Sequence, residues 1–157
     1  MTDAHEPPGL SHIGLRTADL DRAARFYTRA LPGAVLRRRD EPDRRVWVRV
    51  LGVTLEIAEV AGWKPLDEAQ RRALPQIGLL VGPRELDQIV NRLDAAGVPH
   101  HGPTLKMAGQ AVGVYFSDCD GNPFSLSCPE GYPSAGLPRN ARMWFPSPWT
   151  WAEPVGD

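Results

Sequence analysis

Residues 12–15 read His-Ile-Gly-Leu and residues 76–79 read Gln-Ile-Gly-Leu, an offset of 64 that also brings Gly33 onto Gly97. A repeat of this period requires one supersecondary unit to be used twice, which constrains the fold more than any other feature of the chain. An amphipathic stretch follows each tetrapeptide. Leu20, Ala23, Ala24, Tyr27, Ala30 and Leu31 share one helical face in the first, and Leu86, Ile89, Val90, Leu93 and Ala96 do so in the second. Asp19 is placed to cap the first helix and Pro32-Gly33 to stop it, while Gly82-Pro83 opens the second and Gly97 closes it. Runs with strand character follow near 34–39, 45–50 and 53–59, then near 98–102, 111–117 and 122–127, with Asp120-Gly121 as a hairpin signal between the last two. The unit is therefore β-α-β-β-β, and the fold class is α+β.

Strand parity selects candidate site residues, because side chains alternate between two faces and the helices cover only one. Ile13 and Leu15 take the covered face, leaving His12 and Gly14 on the other. Val53, Leu55 and Ile57 leave Glu56 opposite; Ile77, Leu79 and Val81 leave Gln76; Phe124 and Leu126 leave Ser125. If the two sheets curl into one cup, His12, Glu56, Gln76 and Ser125 converge. The expected organisation is an N-terminus at 1–9, a first module at 10–60, a linker with one short helix at 61–74, a second module at 75–128, and an irregular tail at 129–157. That tail is rich in Pro and carries Trp144, Phe145, Trp149 and Trp151, which suits a segment wrapped over an apolar face or a dimer partner.

The duplicated plan, Phe26-Tyr27 in the first helix, and Tyr115-Phe116-Ser117-Asp118-Cys119-Asp120-Gly121-Asn122 resemble the vicinal oxygen chelate superfamily over about residues 10–128. That superfamily includes glyoxalase I, bleomycin-resistance proteins, fosfomycin-resistance enzymes and extradiol dioxygenases. The resemblance implies a cup of two sheets with helices outside. In metal-using members it implies ligands at the cup-facing positions of the first and last strand of each module, which here are His12, Glu56, Gln76 and Ser125. Imidazole, carboxylate and amide oxygen suit Zn, Ni, Mn, Co or Fe. Ser125 departs from the pattern, since a Glu usually follows Asp-Gly-Asn there and a neutral hydroxyl is a poor ligand. The implied metal set is therefore His12, Glu56 and Gln76, with Glu56 also as catalytic carboxylate, and Ser125, Trp47, Tyr115 and His101 lining the substrate. A second imidazole has two sources, His100 and His101, which the local pattern does not distinguish.

Two function classes follow. One is a divalent-metal-dependent enzyme of lyase, isomerase or dioxygenase type, in which the cation holds neighbouring oxygens of a small substrate. The other is a metal-free binder of the bleomycin-resistance kind, with an aromatic groove and Glu56 as counter-charge. The run Arg37-Arg38-Arg39, with Arg44, Arg45 and Arg49 nearby, is read as a solvated strand face, with attraction of an anionic substrate as the alternative. Lys and Arg number 18 against 19 Asp and Glu, so no global field draws nucleic acid, and no run of apolar residues has membrane-spanning length. A cytoplasmic homodimer acting on a small molecule is expected. Cys119 and Cys128 are read as reduced thiols, and Cys119 as a turn variant.

Overall fold

The computed structural model describes residues 9–106 and 111–139. Its first half runs β1 (Ile13–Thr17), α1 (Leu20–Arg29), β2 (Ala34–Arg39), β3 (Arg45–Val50) and β4 (Val53–Glu59). After α2 (Glu68–Ala73), the order repeats as β5 (Ile77–Leu80), α3 (Pro83–Ala95), β6 (His100–Lys106), β7 (Ala111–Ser117) and β8 (Pro123–Cys128). The sheet orders are β1-β4-β3-β2 and β5-β8-β7-β6, so each half makes one open four-stranded sheet of the same topology. In each, the first strand pairs in parallel with the last and the remaining pairs are antiparallel. The fold is α+β, two open sheets in a cup-like arrangement.

Local signals account for the helices. The Asp19 side chain accepts from the Arg22 amide at the start of α1, and Pro83 occupies the first turn of α3 behind Gly82. A reciprocal capping box between Asp67 and Gln70 nucleates the short α2. The apolar stripes bury as the spacing requires: Leu20, Ala23, Ala30, Leu31, Leu86, Ile89 and Leu93 are buried, and Phe26 joins them. They pack on the helix-covered sheet faces, Val46, Val48, Leu55 and Ile57 in one half and Val114, Phe116, Phe124 and Leu126 in the other. No helix among the described residues is long and apolar enough to cross a membrane.

Tyr27 of α1 fastens the halves together. Its ring lies 6.0 Å from that of Phe124, and its hydroxyl donates to the buried Asp118 carboxylate. Arg22 donates to the Cys119 carbonyl at 3.2 Å, and Arg92 of α3 reaches the Arg29 and Leu31 carbonyls, each at 3.3 Å. The linker joins the same junction through a hydrogen bond from the Leu66 amide to the Asp120 carbonyl at 2.8 Å.

Two details differ from the sequence reading. The strand expected at 98–102 is β6, His100–Lys106, carried further by a register shift between His101 and Thr104. The Asp-Gly pair does not make a two-residue hairpin: residues 118–122 form a longer turn held by Asp118, whose Oδ1 accepts from the amides of Asp120 (2.9 Å) and Asn122 (2.8 Å). In the tail, the Leu105 amide donates to the Pro138 carbonyl and the Tyr132 hydroxyl to Asp87, so residues 129–139 return along the second half. Trp144, Phe145, Trp149 and Trp151 lie outside the described residues.

Candidate ligand site on the uncovered sheet faces

On the first sheet, Gly14 lies opposite Glu56, Glu56 opposite Trp47, and Trp47 opposite Arg37, so these four positions share the face that the helices leave uncovered. His12 stands one residue before β1, with Nε2 3.4 Å from Glu56 Oε2. Glu56 Oε1 accepts from Arg45 Nη1, and Oε2 accepts from Trp47 Nε1 at 3.2 Å. Burial pushes the Glu56 carboxyl up, but the Arg45 and Trp47 hydrogen bonds and the nearby Arg45 and His12 charges outweigh it. The net result is a pKa below the usual range. The carboxylate is 16% exposed and the imidazole 46%, so the pair sits at a surface that solvent reaches from the His12 side. Arg37 and Arg39 place their guanidiniums 5.2 and 5.9 Å from the Trp47 ring centroid.

The second sheet repeats this register with other side chains. Gly78 lies opposite Ser125, Ser125 opposite Tyr115, and Tyr115 opposite His101, with Gln76 one residue before β5. Thus Gln76 stands where His12 does, Ser125 where Glu56 does, Tyr115 where Trp47 does and His101 where Arg37 does. Ser125 and Tyr115 are buried, at 1% and 4%. His101 stacks on Tyr115 with centroids 6.4 Å apart, whereas His100 faces the other way, toward Asp94 (3.7 Å) and the Val98 carbonyl (3.1 Å). Lys106 crosses this face, its ammonium 4.7 Å from the Tyr115 centroid and donating to Ser127 Oγ at 2.7 Å; burial lowers its pKa.

From sequence, Arg45 stood only within the arginine run and not as a partner of Glu56, and Lys106 was not singled out. Parity could have found Arg45, since it alternates with Val46 and Val48 and so shares the face of Trp47 and Glu56. Lys106 could not be found that way, because the irregularity after His101 resets the alternation.

A divalent ion would meet two adjacent donors, His12 and Glu56, one of which already carries a guanidinium. At the matching place on the second sheet it would meet a buried hydroxyl. Among the described residues no group of three or more His, Cys, Asp or Glu is arranged to hold a metal. Arg45 already occupies Glu56 Oε1, so a cation on that oxygen would have to displace the guanidinium. Burial first, then the Asp118 and Asp120 charges, push the Cys119 thiol up, which outweighs the nearby Arg22 and disfavours the thiolate that a nucleophile needs.

Comparison with known proteins agrees with this architecture. The family model described as Glyoxalase/Bleomycin resistance protein/Dioxygenase superfamily matches residues 9–126. Among solved structures, a glyoxylase/bleomycin resistance protein/dioxygenase domain from Frankia sp. EAN1pec is 24% identical with a TM-score of 0.68, over 79% of this chain and 99% of that one. The fosfomycin resistance protein FosX from Listeria monocytogenes is 22% identical with a TM-score of 0.63, over 78% and 93%. A FosX mutant complexed with Mn(II) and 1S,2S-dihydroxypropylphosphonic acid is 21% identical with a TM-score of 0.64, over 78% and 92%. No curated protein matches the chain.

Proposed function

The chain belongs to the Glyoxalase/Bleomycin resistance protein/Dioxygenase superfamily, and from that premise we propose that it binds a small molecule on the uncovered faces of its sheets without a resident divalent metal. The observation that carries this reading is the Arg45 guanidinium on Glu56, which supplies the positive charge that a metal would bring to that carboxylate. Arg45 and Trp47 hold Glu56 in place, and His12 presents its ring to solvent beside Oε2, where it can hydrogen-bond a ligand oxygen. On the second sheet, Tyr115, His101 and Ser125 line the face and Lys106 adds a fixed cation. The same reading makes the protein a cytoplasmic homodimer, supported by the exposed Val35, Leu36 and Leu80 and by two buried, unpaired cysteines.

A second reading, a metal-dependent enzyme with His12, Glu56 and Gln76 as ligands and Glu56 as catalytic carboxylate, is favoured by the 3.4 Å approach of His12 to Glu56. It requires Arg45 to leave the carboxylate. Elemental analysis of protein purified without a His tag decides between them. The metal-free reading expects no stoichiometric transition metal and a melting temperature unchanged by EDTA. About one equivalent of bound metal, lost in Glu56→Gln while the fold persists, would overturn it.

A further inference from the structure

The uncovered face of the first sheet carries a charge that the small-molecule reading leaves unexplained. Arg45 and Arg49 on β3, Arg37 and Arg39 on β2 and Arg16 on β1 all share the register face of Trp47. Against these five guanidiniums stand two engaged carboxylates: Glu56 takes Arg45, and Asp43 takes both Arg45 and Arg39. No carboxylate among the described residues pairs with Arg16, Arg37 or Arg49. Yet the whole chain has a formal charge of −1, so positive charge is concentrated on this face rather than spread. Like charges on neighbouring strands repel one another, and an anion placed among the unpaired ones relieves that repulsion.

The aromatic at the centre narrows the kind of anion. The Trp47 ring, held by its bond to Glu56, lies among guanidinium planes, and guanidinium is the side-chain cation that both stacks on flat rings and grips a carboxylate through paired N–H donors. We infer that this face binds a small flat aromatic carboxylate, its ring layered with Trp47 and Arg37 and its carboxylate held by Arg16, Arg37 or Arg49. This rests on the small-molecule reading above and names the ligand class for it. Glu56 is then no counter-charge for a ligand cation, because Arg45 already neutralises it.

The test is calorimetric titration with phthalate, benzoate, the uncharged benzamide and the non-aromatic cyclohexanecarboxylate, each in EDTA and again with Mn(II). Phthalate should bind most tightly, benzoate less so, and the other two at least tenfold more weakly than phthalate. The triple variant Arg16→Gln/Arg37→Gln/Arg49→Gln should lose phthalate affinity about tenfold or more with an unchanged circular dichroism spectrum. Lys64→Gln/Arg72→Gln/Arg84→Gln, which removes equal charge elsewhere, should lose less than twofold. Equal binding of benzamide and phthalate, or equal losses in the two triple variants, overturns the inference. Tighter binding of a short single-stranded DNA than of phthalate also overturns it, marking a polyanion surface instead. Phthalate binding that needs Mn(II) but still falls tenfold in the first variant sinks the metal-free reading alone and leaves the anion site standing.

Discussion

Asp118 shows how one residue can tie a loop, a helix and two sheets together. Its carboxylate is buried and accepts from the Tyr27 hydroxyl, from the Asn122 side chain at 2.8 Å and from two backbone amides. Burial raises its pKa from 3.8 to about 6, against the opposing hydrogen bonds from Tyr27 and Asn122. A raised carboxylate pKa means that the native state holds a proton which the unfolded chain has already released. Its contribution to stability is therefore full below about pH 4 and is lost as pH rises through about 6. The shift corresponds to about 3 kcal/mol. Asp21, lowered chiefly by its Arg38 hydrogen bond, and Asp43, lowered chiefly by Arg45, stay ionised in this window and do not offset the effect. Thermal melts should rise in midpoint from pH 7 to pH 5, and Asp118→Asn should flatten that slope. A wild-type midpoint that falls over this range contradicts the assignment.

Among the elements, the joint between α1 and β2 has the least room for change. The Gly33 amide donates to the Tyr27 carbonyl at 2.9 Å, and a Cβ on Gly33 would run into that same carbonyl and crowd Val48. The obstacle is backbone, which cannot swing aside as a side chain can. Gly33→Ala should therefore cost about 2–3 kcal/mol in chemical denaturation, as overpacking does. Gly52, in the β3–β4 turn at φ +82 with open space around it, makes the comparison: alanine there meets only backbone strain, about 1 kcal/mol. Equal costs at the two glycines would show that steric contact at Gly33 is relieved by movement of the helix end.

In the molecule as a whole, large apolar side chains stand uncovered on the edge strands β2 and β5. Leu80 on the edge strand β5 is 74% exposed, and Val35 and Leu36 on the edge strand β2 are about half exposed, which is costly for an isolated chain. Sedimentation velocity should report a dimer, twice the 17.3 kDa chain mass. Leu36→Glu/Leu80→Glu should shift it toward monomer without unfolding. A wild-type protein that stays monomeric at high micromolar concentration sinks the dimer assignment.

Local chemistry made much of this protein readable in advance. The tetrapeptide repeat, the helical stripes and strand alternation follow from 3.6-residue and two-residue periods that any buried amphipathic element must show. They implied two repeated halves with Glu56 and Ser125 at matching positions, and in the folded sheets Glu56 lies opposite Gly14 and Ser125 opposite Gly78. Tertiary structure decided what those positions face. The pairing of β3 with β4 set Arg45 on Glu56, a contact between residues 11 apart that no periodicity encodes. The pairing of β6 with β7 resolved the two histidines, setting His101 opposite Tyr115 on the site face and His100 opposite Phe116 and toward Asp94, because which parity faces the site is fixed only by the strand the chain pairs with. Residue types are written locally, but the charge environment of a site is the sum over strands brought together from distant sequence, and only the folded sheet assembles that sum.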